Sequence, residues 1–522
     1  MIEHLLIKQS VKRSYKNFIE IDNFMDVQKS KLLSILNANK DTKVGKKYGF
    51  RDIRSISEFI NNVPIGDYET HENWILDQFN TGEHIHLQDK ILLYEKSSGS
   101  TSPSKFIPYT AALKSEFMNG VEAWLYDLYE NFPEIKKGTH YWSISPIVES
   151  EKYSPMGVPI GFEEESGYFN ALQGRLLSKV FAVPNSVKHS SPEDFIFLTL
   201  YHLLNKENLS FISIWNPSFL TRLLDSLHDL KTELIDALSI GHTKQNNNFN
   251  FKINGYTKKR AELLKNFDGV NYSILWPKLR LISCWNDGFS KDLADELNEY
   301  FPNVEFQGKG LLATEGIISF PLVGIGKVVA YNSHFFEFYN IKTGRVHFLD
   351  DLEAGSIYSV IMTTSGGLYR YRIYDLIEVT GHYKGLPIID FVGKEGHISD
   401  YYGEKLNEIH VGNMIKRLGF EGFAVLAPVG EDPISYCLFL ENKPDNPEEI
   451  ESKADSILRE NFHYSYARDL GQIEKIRIFK IESNPWETYY KHRSKKVKLG
   501  DIKFSPLYKE KGLEVVFNGY FI

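Results

Sequence analysis

The fold is decided by a loop that reads Ser97-Ser98-Gly99-Ser100-Thr101-Ser102-Pro103-Ser104-Lys105 and runs into Phe106-Ile107-Pro108-Tyr109-Thr110. An apolar run, Ile91 to Tyr94, precedes it, so the segment predicts two strands joined by a hydroxyl-rich loop that ends in a cation. Small residues let backbone N–H groups approach phosphate oxygens, and the lysine would neutralise charge between two anionic reactants. The spacing differs from the GxxxxGK[ST] pattern of a Walker loop. Taken alone, this segment could equally be a solvated Ser/Gly turn. The choice between a phosphate-binding loop and such a turn therefore depends on the rest of the chain.

The composition is that of a soluble globular protein with more than one domain. The chain has 522 residues, of which 60 are basic and 68 acidic, for a formal net charge of -8. Chains of this length divide into domains, and an acidic balance argues against nucleic acid as the main partner. No apolar stretch suits a membrane helix, and residues 1–20 lack a signal-peptide pattern, so we expect a cytoplasmic protein with no membrane partner. Cys284 and Cys437 lie far apart in apolar contexts, which predicts buried thiols.

Strand and helix patterns alternate through the first half of the chain, which indicates a largely parallel α/β core. Short apolar runs lie at 91–94, 141–145, 211–215 and 279–285, and helical patterns lie at 111–131, 192–204, 217–239 and 257–267. From Val328 to Val392, short runs alternate between turns, which predicts a compact antiparallel region.

The clearest domain boundary follows Phe391-Val392, at Gly393-Lys394-Glu395-Gly396. Beyond it a new pattern predicts a helix near 406–418, paired strands at 423–428 and 436–440, a helix at 447–462 and a strand at 473–481. We therefore predict an α/β protein with a large N-terminal domain, 1–392, of mixed sheets with an antiparallel subdomain, and a small α+β C-terminal domain, 393–522.

Two further clusters suit nucleotide handling. In Leu312-Ala313-Thr314-Glu315-Gly316 a hydroxyl and a carboxylate lie at a loop after a candidate strand, Val304 to Gln307. A carboxylate near phosphates is what Mg²⁺ needs, although a helix N-cap is the alternative interpretation. In Tyr369-Arg370-Tyr371-Arg372-Ile373-Tyr374-Asp375 two arginines alternate with aromatic residues along a strand, and Asp375 at its end could accept both ribose hydroxyls. The alternative is a solvated strand with cross-strand charge pairs.

Two lysines of the C-terminal domain complete the set. Lys405, in Gly403-Glu404-Lys405-Leu406-Asn407-Glu408, is predicted at the start of a helix, where it would attract an anion or be a plain surface cation. Lys503 ends a basic tail that begins at Lys491. For most of that tail the basic residues indicate a solvent-exposed surface. Lys503 differs because it follows Gly500 in a short loop, from which its side chain could reach across a domain interface.

Taken together, these clusters resemble the Gretchen Hagen family of acyl acid amido synthetases, the auxin-amide synthetase group within the adenylate-forming enzymes. Its motif Ser-Ser-Gly-Thr-Ser…Lys-Phe-Ile-Pro is similar to Ser97–Pro108, with Ser100 and Thr101 in exchanged order, and its Ala-Thr-Glu-Gly is similar to 313–316. Its Tyr-Arg-x-Gly-Asp resembles 371–375, where Tyr374 replaces the glycine. Phe391-Val392, the residues around Lys405 and Asn62-Val63-Pro64-Ile65 also fit, whereas the terminal Lys-x-Pro-Arg is matched at 503–506 without its arginine.

The resemblance implies a large ATP- and acid-binding domain and a mobile C-terminal lid that rotates about Gly393-Lys394. It implies that a carboxylic acid attacks the α-phosphate of ATP to give an acyl adenylate and pyrophosphate, after which an amino acid or other amine captures the acyl group. The implied catalytic residues are Lys105, Lys503 and Glu315, with Mg²⁺ held through Glu315. The implied nucleotide-binding residues are Ser97, Ser98, Gly99, Ser100, Thr101, Ser102, Thr314, Tyr371, Asp375 and Lys405.

Two other functions stay open at this level. The same adenylate could be captured by coenzyme A or a carrier protein to give a thioester. Tyr374 and the altered terminal motif also leave open a nucleotide-binding protein without turnover. The motifs do not specify the acid, the acceptor or the oligomeric state.

Overall fold

The computed structural model describes residues 2–20, 23–96, 105–143, 153–161, 171–240, 242–246, 249–253, 257–287, 290–395, 398–399, 401–420, 422–431, 433–494 and 504–522. The loop residues Ser97, Ser98, Gly99, Ser100, Thr101 and Ser102, and also Lys503, lie outside these ranges. The chain divides into two compact units, Met1–Ile373 with Ile377–Phe391, and Tyr374–Leu376 with Val392–Ile522. Within the described ranges no helix is long and apolar enough to cross a membrane.

The helices of the described residues have the following bounds: α1 Ile2–Ile19, α2 Phe24–Ala38, α3 Lys43–Lys47, α4 Ile56–Asn62, α5 Tyr68–Thr81, α6 Ala111–Asn131, α7 Ala171–Val180, α8 Pro192–Leu204, α9 Pro217–Asp229, α10 Lys231–Ile240, α11 Lys258–Lys265, α12 Ser290–Tyr300, α13 Glu408–Arg417, α14 Pro447–Leu458, α15 Phe462–Asp469 and α16 Pro485–Arg493. Two predicted helices are each divided. The pattern at 217–239 forms α9 and α10, and the pattern at 447–462 ends at Leu458, after which the Asn461 side chain caps α15.

The strands have the following bounds: β1 Ile91–Lys96, β2 Phe106–Thr110, β3 Thr139–Trp142, β4 Leu209–Ser213, β5 His242–Asn246, β6 Phe249–Ile253, β7 Leu281–Cys284, β8 Glu305–Gly308, β9 Leu312–Ala313, β10 Gly316–Ile317, β11 Ser319–Leu322, β12 Gly326–Val329, β13 Phe335–Asn340, β14 Val346–His347, β15 Ile357–Thr363, β16 Tyr371–Tyr383, β17 Leu386–Lys394, β18 Ile398–Ser399, β19 Leu406–Asn407, β20 Ala424–Val429, β21 Ile434–Leu440, β22 Ile473–Ile481 and β23 Gly519–Phe521. β1 and β2 pair antiparallel, so Lys105 directly precedes the returning strand of a hairpin, as predicted.

The first unit contains the predicted parallel sheet. Its strand order is β3-β4-β7-β8, and each neighbouring pair is parallel. Every residue of β4 and β7 is buried, because helices cover both faces of such a sheet. The carboxyl ends of these strands therefore lie together at one edge, where open α/β sheets bind ligands.

The predicted antiparallel region forms a seven-stranded sheet in the order β11-β12-β17-β16-β15-β13-β14. β13 pairs antiparallel with β15 from Phe335↔Thr363 to Asn340↔Tyr358. Its apolar side chains join α6 and the β1–β2 hairpin in one large core that includes Leu113, Ile107 and Phe338. Packing against this sheet fixes α6, and α6 in turn positions the site described below.

The second unit is a four-stranded sheet, β20-β21-β22-β23, in which β21 and β22 are parallel and the outer pairs are antiparallel. Alternate residues of its strands enter two separate cores. Leu426, Leu438 and Ile478 pack on one face, and Val425, Phe439 and Phe479 on the other. This strand alternation explains why α13–α15 and α16 pack as two layers on the sheet. Cys284 and Cys437 are both free and buried, in agreement with the sequence prediction.

Asp127 on α6 gives a prediction for the pH dependence of stability. Its carboxylate is buried and accepts hydrogen bonds from Val323 N at 2.8 Å and Asn131 Nδ2 at 3.1 Å. Burial raises the pKa of Asp127 to about 6. A raised carboxyl pKa means that the native state holds a proton that the unfolded chain has lost, so this contribution to stability falls as the pH rises from about 4 to about 6.

We therefore expect Asp127→Asn to become more stable relative to the wild type over that window, by about 3 kcal/mol. Urea denaturation at a series of pH values measures the difference, with Asp236→Asn at an exposed position of α10 as the control. A difference that does not change between pH 4 and pH 7 would contradict the raised pKa.

Candidate active site

The cluster Leu312–Gly316 forms a tight β-hairpin. β9 and β10 pair antiparallel through Ala313↔Gly316, so Thr314 and Glu315 are its two turn residues. The helix N-cap considered for this segment is therefore wrong, because the chain reverses into a strand. The Tyr109 hydroxyl, from β2, donates to the Thr314 carbonyl oxygen at 2.8 Å. This bond ties the end of the serine-loop hairpin to the Thr314–Glu315 turn.

A buried chain of hydrogen bonds, called the relay below, holds the Leu312–Ile317 hairpin in place. Ile317 N donates to His334 Nε2 at 3.2 Å, so the other ring nitrogen, Nδ1, carries the proton and donates to Glu116 Oε2 at 3.2 Å. Glu116 also accepts the Ser365 hydroxyl at 2.6 Å. Burial alone would raise the pKa of Glu116, but His334, Lys31 and Ser365 together lower it. Sequence reasoning missed this relay, since an isolated Glu or His in an apolar segment carries no motif.

Tyr371 joins two of the sequence clusters. Its side chain is 1% exposed, and its hydroxyl donates to Glu315 Oε1 at 3.1 Å. Burial, together with the Glu315 charge, raises the pKa of Tyr371 far above its usual range, so the phenol stays protonated and remains a donor. The bond fixes the rotamer of a carboxylate that is otherwise partly open to solvent.

Lys105 lies in the same neighbourhood. Its ammonium is 5.4 Å from the centre of the Tyr68 ring, and the Tyr68 hydroxyl accepts a hydrogen bond from Phe106 N at 2.9 Å. Burial raises the pKa of Tyr68, and the charges of Glu72 and Glu315 raise it further. Tyr68 is therefore close to two opposite charges. The Lys105 ammonium lies against its ring, and the Glu315 carboxylate is near enough to raise its pKa.

Arg370 has a structural role that differs from the predicted alternation. It sits before β16 with a left-handed φ of 48°, and its guanidinium binds Glu337 through Nε and Nη2. Its Nη1 donates to the carbonyl oxygens of Ile60 and Val63 at 3.0 and 2.8 Å. The solvated strand is therefore wrong for Arg370, which is buried in an ion pair with Glu337 and holds the Asn62–Ile65 segment through its hydrogen bond to the Val63 carbonyl oxygen.

Asp375 belongs to the second unit and lies inside a strand. β16 continues to Tyr383, so Asp375 does not end the strand as predicted. Its side chain is 12% exposed, and Oδ1 lies 3.5 Å from Lys394 Nζ. Tyr374 has a φ of 61°, a left-handed conformation that glycine adopts without steric cost. A glycine at this position, as in the family motif, would therefore fit the observed backbone.

Lys405 is also in the second unit, but it precedes the helix. α13 begins at Glu408, and the Asn407 side chain caps it by accepting from His410 N. The predicted position at the helix start is therefore wrong by three residues. Lys405 instead has a left-handed φ of 46° and follows Glu404, a fully buried carboxylate that accepts from Tyr402 N and from the Tyr436 hydroxyl. This network fixes the backbone from which the exposed Lys405 side chain projects.

The structure thus brings together Lys105, Thr314, Glu315 and Tyr371 in the first unit, while Asp375 and Lys405 belong to the second. No group of three or more His, Cys, Asp or Glu side chains suited to a metal ion occurs within the described ranges. Mg²⁺ bound to a nucleotide needs only one or two protein oxygens, because phosphate and water complete its octahedron. The single, partly exposed Glu315 carboxylate fits that requirement.

Comparison with known proteins gives a match over most of the chain. Residues 19–306 match the GH3 family N-terminal domain, 327–394 the GH3 family central domain, and 408–512 the GH3 family C-terminal domain. The chain is 23% identical over 463 residues to the indole-3-acetic acid-amido synthetase GH3.4 of Arabidopsis thaliana, which covers 80% of this chain and 74% of that protein. It is 27% identical over 196 residues to the 4-substituted benzoates-glutamate ligase GH3.12 of the same organism, over 34% of each chain.

Among solved structures, the AtGH3.15 acyl acid amido synthetase in complex with 2,4-DB has the same fold. The TM-score is 0.82 at 17% sequence identity, with 99% of this chain and 97% of that chain covered. This likeness confirms the predicted α/β fold class. Since the three domain matches together span well over half of the sequence, the chain belongs to the GH3 family.

Proposed function

We propose that this protein is an ATP-dependent ligase that activates a carboxylic acid as an acyl adenylate and transfers the acyl group to an amino acid or another amine. The observation that carries the proposal is the hydrogen bond between Tyr371 and Glu315, which joins two separate family motifs beside Lys105. The relatives named as amido synthetases and as a benzoate–glutamate ligase support the same reaction class.

The first half-reaction requires two anions to meet. A carboxylate oxygen of the acid attacks the α-phosphorus of ATP, the new O–P bond forms, and the bond to the β-phosphate oxygen breaks to release pyrophosphate. Lys105 reduces the repulsion between the two anions and stabilises charge on the phosphate oxygens. The backbone N–H groups and hydroxyls of residues 97–102 would bind the phosphates, and Asp375 would accept the ribose hydroxyls.

Glu315 would hold Mg²⁺ together with the nucleotide phosphates. Bound there, the ion would act as a Lewis acid on phosphate oxygens. The chain's own contribution is to orient the Glu315 carboxylate, through the Tyr371 hydroxyl on one side and the Tyr109–Thr314 bond along the turn. Thr314 adds a hydroxyl at the same turn.

In the second half-reaction the amine nitrogen attacks the acyl carbon, AMP leaves with the bonding electron pair, and the nitrogen loses a proton.

We assign the N-terminal domain to residues 1–392 and a mobile lid to residues 393–522, with the rotation at Gly393-Lys394. Lys405 and Lys503 would approach the phosphate or acyl oxygen from the lid. The fixed backbone at Glu404–Lys405 supports a defined position for the first of these lysines.

The test is product formation with purified protein, Mg·ATP and a panel of aromatic and fatty acids, with amino acids or coenzyme A supplied separately. We expect AMP and pyrophosphate release that depends on an acid and is stimulated by an amino acid, with the amide identified by mass spectrometry. Stimulation by the thiol alone would reject amide synthesis in favour of thioester formation. Failure of radiolabelled pyrophosphate to enter ATP with every acid would reject adenylation.

A further inference from the structure

A second buried phenol lies in the candidate active site, and its hydroxyl has a proton that the fold does not use. Tyr68 is the first residue of α5 and is 6% exposed. Its hydroxyl oxygen accepts a hydrogen bond from Phe106 N at 2.9 Å. A phenol hydroxyl also carries one proton to donate. Among the described residues, no acceptor lies within hydrogen-bond distance of this hydroxyl.

The backbone before α5 holds Tyr68 close to the strand that carries Tyr371. Gly66 forms a parallel bridge with Tyr371, in which Arg372 N donates to the Gly66 carbonyl oxygen at 2.8 Å. Tyr68 follows two residues later, and Phe106 N holds its hydroxyl from the other side. The phenol is therefore fixed at both ends before any ligand binds, as a donor that acts without rearrangement must be.

The charges around Tyr68 favour an anionic ligand that accepts a hydrogen bond. Lys105 Nζ lies 5.4 Å from the centre of the Tyr68 ring. Burial raises the pKa of Tyr68, and the charges of Glu72 and Glu315 raise it further, so the phenol keeps its proton at neutral pH. Glu315 already accepts the hydroxyl of Tyr371. A donor proton beside an ammonium suits an oxyanion, because hydrogen bonds to charged oxygens are the strong ones.

The position of the hydroxyl in the chain connects it to the serine loop. Lys105 directly precedes Phe106, whose N–H binds Tyr68, so this bond lies where the chain from the loop enters β2. The proposed reaction brings two oxyanions to this place, the phosphates of ATP and the carboxylate of the acid. Both present oxygens that accept from a phenol.

We propose that the Tyr68 hydroxyl is a substrate-binding donor of the active site, which binds an oxyanion oxygen beside Lys105, of a phosphate group of ATP and pyrophosphate or of the acid's carboxylate. This inference rests on the proposed function and deepens it by adding a residue that belongs to none of the recognised motifs. Tyr68 keeps its proton throughout the reaction, and it orients the anion and stabilises its charge.

The first experiment measures pyrophosphate exchange by Tyr68→Phe, which keeps the ring and removes the hydroxyl. We expect kcat/KM to fall by about 10- to 100-fold, as for loss of a hydrogen bond to a charged group. A loss confined to the kinetic constants of Mg·ATP and pyrophosphate assigns the donor to a phosphate oxygen, and a loss confined to those of the acid assigns it to the carboxylate. Tyr466→Phe, at a 58% exposed position, should not change the rate.

The second experiment separates donation to a ligand from support of the backbone at Phe106. Tyr68 is replaced by a ring-fluorinated tyrosine, whose phenol ionises at lower pH. The phenolate still accepts from Phe106 N, but it can no longer donate. We expect the exchange rate of this variant to fall as the pH rises through the ionisation of its phenol, while the wild-type rate does not follow that profile. The same fluorinated residue in place of Tyr466 is the control.

The outcomes separate this inference from adenylation itself. Exchange by Tyr68→Phe within twofold of the wild type, or a fluorinated variant with the wild-type pH profile, overturns the donor role and leaves adenylation standing. If no acid supports exchange in the wild type, adenylation fails, and calorimetric titration with Mg·ATP, pyrophosphate and the acids then decides. Binding that Tyr68→Phe weakens at least 10-fold supports the donor role, and unaltered or undetectable binding overturns it.

Discussion

Replacing Glu315 by glutamine is expected to lower the rate of adenylate formation by about 10²-fold, because the substitution removes one charge-stabilising group from the reacting centre. Glutamine keeps the size of the side chain and can still accept the Tyr371 hydroxyl, so the hairpin should remain folded. The loss should therefore appear in kcat for pyrophosphate exchange, while the thermal stability stays close to that of the wild type.

Two variants make this result specific. Glu299→Gln changes the same functional group at an exposed position of α12 and should leave the rate unaltered. Tyr371→Phe removes only the hydroxyl that orients Glu315, so its effect should be smaller than that of Glu315→Gln. A wild-type rate in Glu315→Gln would remove this residue from the active site and with it the proposed position of Mg²⁺.

Replacing Arg370 by methionine is expected to destabilise the first unit by about 3 to 5 kcal/mol, because it leaves the Glu337 carboxylate buried without its charged partner. Glu337 is 1% exposed and receives the Arg370 guanidinium at 2.7 Å. The substitution also frees the carbonyl oxygens of Ile60 and Val63 from their shared donor. Urea denaturation followed by tryptophan fluorescence measures the loss.

The pH dependence of that loss tests its cause. Burial raises the pKa of Glu337, and Arg370 opposes the rise, so removing the arginine raises the native pKa further. A raised carboxyl pKa contributes stability that disappears as the pH increases, so the Arg370→Met variant should lose less stability at pH 5 than at pH 8. The double variant Arg370→Met/Glu337→Leu should recover part of the loss. A single variant as stable as the wild type at pH 8 would show that the ion pair contributes nothing net.

Local patterns were sufficient to predict the elements that surround the site. The β1–β2 hairpin on either side of the serine loop, the parallel sheet and the antiparallel region all follow from apolar runs and turns within a few residues of one another. The predicted ends of some helices and strands were wrong, because the local residue pattern was compatible with more than one end point. Helical periodicity runs through Leu230 although the helix ends there, and the strand at Asp375 continues beyond the aspartate.

The motifs that carry the site were also visible in the sequence, but their contacts were not. Thr314–Glu315 and Tyr371 could be singled out separately, whereas the hydrogen bond between them depends on how two hairpins pack. The relay from Ile317 through His334 to Glu116 joins residues more than 200 positions apart. The domain boundary at 392–393 and the roles of the individual site residues stay predictions, of which the role of Glu315 is tested by the variants above.

By itself the sequence determined the order of strands and helices, the family motifs and the reaction class they imply, because each of these is recorded in residues that are neighbours along the chain. Only the tertiary structure decided that Arg370 is a buried anchor, that Tyr374 adopts a glycine-like backbone, and that the Tyr68 ring lies against Lys105. The physical reason is that a buried charged group is stable only beside its partners, and tertiary packing decides which groups those are. Those partners come from distant segments, and no spacing along the chain records them.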